Sequence, residues 1–239
     1  MWRAGATVAV LLGLLTVPIR AQTPASGWVT HIRPYFWLAG VSGSVTAAPL
    51  TFPINSSFGD LLDNVKMGAF AAVTVEKQRW GMYGDFQYIS LVGGGTGPSG
   101  ATLELQNVIG EVDAFLRIPA ASGSLKFIGG VRVYSVDETL TPNGGSPAKS
   151  NTTVADPILG ALGEWSIGKK WDFEMRADLG GFGLGSEFTN QISAVFQWQI
   201  NDKLRLPFGY RVLSYQIKDG SVQMDTRMTG LVVGLDIGL

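Results

Sequence analysis

The chain offers little for covalent chemistry. Cysteine is absent from its 239 residues, and His31 is the single histidine. That excludes a thiolate metal site, a cysteine nucleophile and a disulfide framework, and it disfavours zinc sites and histidine-based triads. Carboxylates remain. Asp60 and Asp63 lie in Ser57-Phe58-Gly59-Asp60-Leu61-Leu62-Asp63-Asn64. A surface calcium contact is one reading of them, but the Ser-x-x-Asp start matches a helix cap better. Asp172, Glu174 and Asp178 share one parity and could form an acid pair. Arg176 among them points instead to a charge network. The glycines of Gly93-Gly94-Gly95-Thr96-Gly97 and of Pro142-Asn143-Gly144-Gly145-Ser146-Pro147 precede no helix, so they are not phosphate cradles. No catalytic, cofactor-binding or metal-binding residue is assigned, and no cofactor is expected.

The segments that carry these residues alternate with period two. Trp171, Phe173, Met175, Ala177 and Leu179 interleave with Asp172, Glu174, Arg176 and Asp178. Ile192, Ala194, Phe196, Trp198 and Ile200 do the same with their neighbours, as do Leu231, Val233, Leu235, Ile237 and Leu239. A strand sends successive side chains to opposite faces, so each run has one apolar and one polar face. Ten runs are predicted, at about 30–45, 66–77, 80–92, 101–118, 124–139, 152–167, 170–184, 188–200, 203–217 and 222–239. The only helix candidate is 57–64. Tight turns at 78–79, 120–123, 168–169 and 201–202 alternate with links that are longer or richer in turn formers, at 46–65, 93–100, 140–151, 185–187 and 218–221. An even number of strands with one short-turn end is the pattern of an up-and-down transmembrane barrel.

Composition fits a membrane strand protein. Charged residues make up 15% and hydrophobic ones 46%, with a formal net charge of −1, which excludes a basic nucleic-acid binder. Met1-Trp2-Arg3 is followed by an uncharged stretch from Ala4 to Ile19, too short for a spanning helix. It suits a signal peptide cut after Ala21, giving 1–21 as the signal and 22–239 as one barrel domain.

Alternation alone does not say which face points outward. Trp80, Trp165, Trp171 and Trp198 all sit beside tight turns, as an interfacial girdle would. The polar face is rich in glycine (Gly68, Gly81, Gly130, Gly180, Gly209, Gly234), as a crowded interior requires. Most runs exceed the roughly 9–11 residues that a membrane strand needs, and closure removes edges that lipid cannot satisfy. The fold class is therefore all-β, a closed up-and-down antiparallel transmembrane β-barrel of about ten strands, with eight as the alternative, after a cleaved signal peptide.

This phasing turns Arg33, Glu111, Asp113, Arg117, Arg132, Glu164, Glu174, Arg176 and Arg211 inward as a charge network in the lumen. A ten-stranded barrel has a backbone radius of roughly 10 Å, and long side chains span most of it. Buried charges must be paired, so a largely plugged lumen follows. Closing a hairpin around Ala121–Ser122 puts Glu111 opposite Arg132 and Arg117 opposite Lys126. The second pair needs an acid, for which Glu164 and Glu174 are the candidates.

Signal peptide, ten alternating runs and the terminal Gly234-Leu235-Asp236-Ile237-Gly238-Leu239 resemble small Gram-negative outer-membrane β-barrel proteins. Phe36-Trp37-Leu38-Ala39-Gly40-Val41-Ser42-Gly43, with Ser57–Asn64 and Arg79-Trp80-Gly81, is similar to uncharacterised members of that group. The resemblance implies integral residence in the outer membrane. Its implied partners are outer-membrane lipid and the barrel-assembly machinery, which reads the last strand; Leu239 departs from the usual terminal aromatic. Enzymes of this kind place a histidine among their catalytic groups, whereas His31 reads as a residue at the periplasmic rim. The expected function is a non-enzymatic barrel with a structural or interaction role. A narrow pore for ions or small solutes is the alternative, and a lipid- or peptide-modifying enzyme the second alternative.

Overall fold

The computed structural model describes residues 27–47, 50–93, 102–120, 123–141, 144–219 and 222–239; the expected signal peptide lies outside them. In chain order the elements are β1 (Val29–Ala47), β2 (Leu50–Ser56), α1 (Phe58–Leu62), β3 (Val65–Lys77), β4 (Trp80–Gly93), β5 (Thr102–Ala120), β6 (Gly123–Thr141), β7 (Ala148–Ser166), β8 (Trp171–Gly180), β9 (Phe188–Gln199), β10 (Leu204–Asp219), β11 (Val222–Gly234) and β12 (Asp236–Gly238). Each wall strand from β3 to β11 pairs antiparallel with the next. β1 pairs β3 on one side and β11 and β12 on the other, which closes a ten-stranded barrel.

Three departures from the sequence reading have local causes. The last strand is broken at Leu235. Its neighbours carry Pro34 in β1 and Pro207 in β10 close to that rung, and a proline donates nothing to a ladder. The link expected at 46–65 contains β2, which pairs only with β1. Pro53 hides this strand from a pattern search, yet an edge position tolerates it. The run expected to reach 184 stops at Gly180. Gly181-Phe182-Gly183-Leu184-Gly185 alternates like a strand, but Gly181, Phe182 and Gly183 have positive φ and fold into a turn. The helix candidate forms: Ser57 caps α1, and Asp60 returns a bond to the Ser57 N–H, completing a capping box.

The apolar stripe of the strands is on the outside. Val112, Val131, Leu159, Leu179, Ile192 and Leu231 are all exposed, while Asp113, Arg132 and Asp178 on the opposite face are buried. Near the short turns the outer surface carries an aromatic band. Trp171 lies 6.4 Å from Trp198, Phe173 5.0 Å from Phe196, and Trp165 5.8 Å from Phe173. Trp80 is exposed at the same end. Indole rings favour such an interfacial level. Among the described residues no helix is long and apolar enough to cross a membrane.

Candidate functional site in the barrel lumen

The lumen is built in three layers. The first lies at the short-turn end around a cavity of about 320 Å³, lined among others by His31, Arg33, Glu76, Arg117, Lys126 and Glu174. Asp236 of β12 is gripped from β1 on both oxygens. His31 Nδ1 lies 2.6 Å from Oδ1, and the Arg33 Nε and Nη2 donate to Oδ2 at 3.1 and 2.9 Å. Arg33 Nη1 also approaches Glu174 of β8, at 3.5 Å. His31 is therefore near the rim, as expected, but it faces inward and has a carboxylate partner. Across the cavity Arg117 lies opposite Lys126. Arg117 Nη2 meets Glu76 at 2.8 Å and Glu164 at 3.1 Å, while Lys126 Nζ meets the same two acids at 3.2 and 2.7 Å. Glu164 is one of the two acids anticipated. Glu76 takes the place of Glu174: it reaches Arg117 along the wall from β3, over Gly81 of the intervening β4, which has no side chain to block it.

The middle layer is a mesh of guanidinium and carboxylate. Arg132 Nε donates to Glu111 at 2.6 Å, and its Nη2 to Asp178 at 2.9 Å. Arg176 Nη2 lies 2.6 Å from Glu111 and 3.0 Å from Asp113, and its Nε donates to Asp178 at 2.7 Å. Two carboxylates shared by two guanidiniums stabilise one another far better than isolated ions at this depth would. Asp113 fits because Gly130 stands opposite it: a Cβ there would collide with the Asp113 carboxylate. Arg211 Nη1 donates to Asp85 at 3.0 Å, and Tyr35 Oη to the other Asp85 oxygen at 2.6 Å.

The outer layer is apolar and aromatic, which the charge-based expectation omits. Trp37, Ile109, Tyr134, Leu213, Tyr215 and Ile217 are buried in one cluster. Tyr134 and Tyr215 rings stand 4.5 Å apart, and Arg211 lies 4.8 Å from the Trp37 ring centre. The same alternation that turns Arg132 and Arg211 inward also turns Tyr134, Leu213 and Tyr215 inward, so the signal was present at those positions. Asp156 was likewise findable, since it shares the parity of Glu164 on β7. It is fully buried and accepts from the Ser186 N–H at 2.6 Å and the Ser186 hydroxyl at 2.5 Å.

No protein-family model matches the chain, and no curated protein matches its sequence. Solved structures do resemble it. The outer membrane protease OmpT from Escherichia coli is 7% identical with a TM-score of 0.57, over 91% of this chain and 99% of that one. Ail, the attachment invasion locus protein of Yersinia pestis, is 12% identical with a TM-score of 0.44 over 90% and 100%. Neisserial surface protein A is 11% identical with a TM-score of 0.37 over 90% and 99%. At such identity the likeness to OmpT shows fold alone, and that fold is the Gram-negative outer-membrane β-barrel.

Proposed function

We propose that this chain is an integral outer-membrane β-barrel with a plugged lumen, exported by its signal peptide and inserted by the barrel-assembly machinery, with a structural or interaction role. The observation that carries the reading is the middle layer. Arg132, Glu111, Asp178 and Arg176, on β5, β6 and β8, are buried and mutually paired inside the lumen, Arg211 of β10 reaches Asp85 of β4 beside them, and the aromatic cluster is stacked above. A passing ion would have to break several charge-assisted bonds and then cross an apolar layer. Planar-bilayer recordings of the folded full-length chain test this: a silent bilayer is expected, and a steady open state would overturn it.

The cavity at the short-turn end favours a second reading, a narrow pore, because it reaches the middle layer from one side. The same recording decides between the two. His31 and Asp236 form the one histidine–carboxylate contact available to an enzyme, but Arg33 also holds that carboxylate. The trio joins β1 to β12 and reads as a clasp on the closing seam. Lipid is the surrounding partner, and nothing in the charge distribution favours nucleic acid.

A further inference from the structure

The barrel wall is uneven above the membrane-facing belt. β6 is paired along almost its whole length with both neighbours. β7 is not. It pairs with β8 only from Ile158 to Ser166, although it begins at Ala148. β8 and β9 stop short at a turn spanning 181–187, which touches β7 only at its lower end. There the Gly181 N–H donates to the Pro157 carbonyl, and Ser186 bonds to Asp156. Above this, among the described residues, no strand pairs with the β8 side of residues 148–154, which leaves them a free strand edge.

The direction of the free groups follows from one hydrogen bond. In an antiparallel strand the N–H and C=O of one residue point to the same side, and the side alternates with each residue. The Pro157 carbonyl points to the β8 side. Thr153, Asn151 and Lys149 share its parity, so their N–H and C=O groups point into the lane that β8 leaves vacant. Their side chains are exposed. Pro157 itself fits this placement, since its missing N–H falls on the side without a partner strand. Exposed edges of this kind are usually shortened, bulged or covered; here seven residues, roughly 23 Å of strand, stay open.

We infer that this edge is a docking site for an extended peptide from another protein, added as a strand to β7. The inference rests on the interaction role proposed above and names its partner class. Three N–H and C=O sets, two residues apart, match the backbone of an extended polypeptide. The 181–187 turn at the base of the lane exposes apolar side chains. Leu184 is 80% exposed and Phe182 54%, the latter held in a left-handed conformation that turns it out of the strand. Exposed Lys149 stands at the far end of the edge. The fitting guest is thus an extended segment with apolar side chains towards the turn and an acidic residue beside Lys149.

The experiment selects a display library of random nine-residue peptides against the detergent-folded full-length chain, then remeasures the enriched peptides on two variants. Asn151→Pro with Thr153→Pro removes two edge N–H groups while leaving every β6-facing group in place. Asn151→Ala with Thr153→Ala removes the same side chains but keeps both N–H groups. Binding is expected to fall at least tenfold on the proline variant and to stay within about threefold on the alanine one. The amides of Lys149, Asn151 and Thr153 in the wild-type chain are expected to gain exchange protection on peptide addition, a readout that does not depend on either variant folding. No enriched peptide, equal affinity for the proline variant in its folded, heat-modifiable form, or no protection of those three amides would overturn the inference. A conducting barrel that still shows this protection would instead count against the plugged-lumen reading alone.

Discussion

Glu111 and Arg132 face each other on adjacent strands, with carboxylate and guanidinium 2.6 Å apart and both side chains out of solvent. Each has a second partner, Arg176 for Glu111 and Asp178 for Arg132. The pair is therefore the hub of the middle layer rather than an isolated bridge. Replacing Arg132 by Met leaves Glu111 and Asp178 with one guanidinium between them. Denaturant titration of the folded barrel should show a loss of about 3–5 kcal/mol, the usual cost of stranding a buried charge. Glu111→Gln combined with Arg132→Met should recover part of it. Equal stability of Arg132→Met and wild type would show that the layer is hydrated and open.

The outward stripe of the strands should carry its own energetic signature. Val112 and Val131 lie opposite each other on β5 and β6, and both are exposed. In a bilayer Val112→Arg should cost about 2–4 kcal/mol, the scale for a basic residue on the lipid face near the midplane. In an aqueous setting the same exposed position would tolerate the change. Unfolding titrations in lipid vesicles measure the difference, and an unchanged midpoint would mean that this face does not meet hydrocarbon.

How far the sequence carries depends on whether a contact is local. Glu111 opposite Arg132 was legible because the pairing of Ala120 with Gly123, expected from the sequence, fixes the register of a whole hairpin, and alternation then assigns the face. Arg117 and Lys126 were half legible: Glu164 on the next strand was anticipated, but Glu76 arrives from two strands away over Gly81, which needs the registers of two successive hairpin and loop pairings. Alternation turns Tyr134 and Tyr215 inward, but their contact joins β6 to β10 across the lumen, so their meeting could not be drawn from spacing. Phe182 and Leu184 misled in the opposite sense, continuing a strand-like alternation through three positive-φ residues. The free edge of β7 is invisible in sequence, since it depends on the neighbouring hairpin being shorter.

Leu213 tests the aromatic layer. It is fully buried inside the lumen among Trp37, Tyr134 and Tyr215. Leu213→Ala should cost about 2–5 kcal/mol through lost burial and a residual cavity. The outward Leu231→Ala creates no interior cavity and should cost less. Paired denaturant titrations settle the order, and a larger effect at Leu231 would place the packing core outside the barrel.

The first outer loop carries a pH dependence of known sign. The hydrogen bond from the Ser57 hydroxyl, then that from the Ser57 N–H, holds the Asp60 carboxyl below its ordinary range. A group whose folded pKa is depressed stabilises the fold above its unfolded pKa and loses that contribution as pH falls through the folded one. Exchange protection of the Leu61 and Asp63 amides should therefore decline on acidification below the normal carboxylate range. Asp60→Asn should flatten that profile, whereas a decline persisting in the variant would assign the titration to another group.

The seam offers the last test. Asp236 binds both His31 and Arg33, so it ties the final strand to the first where Pro34 and the break at Leu235 weaken the backbone ladder. Asp236→Ala strands Arg33 with only the longer 3.5 Å approach to Glu174, while His31→Ala leaves the Arg33–Asp236 pair intact. The aspartate change should thus lower the heat-modifiable folded fraction strongly, and the histidine change only mildly. This ordering follows because Asp236→Ala removes the carboxylate that both His31 and Arg33 hold and leaves a guanidinium short of a partner, whereas His31→Ala removes only one of the contacts to that carboxylate. A stronger defect for His31→Ala, measured by band shift before and after boiling, would show that the histidine does more than clasp the seam.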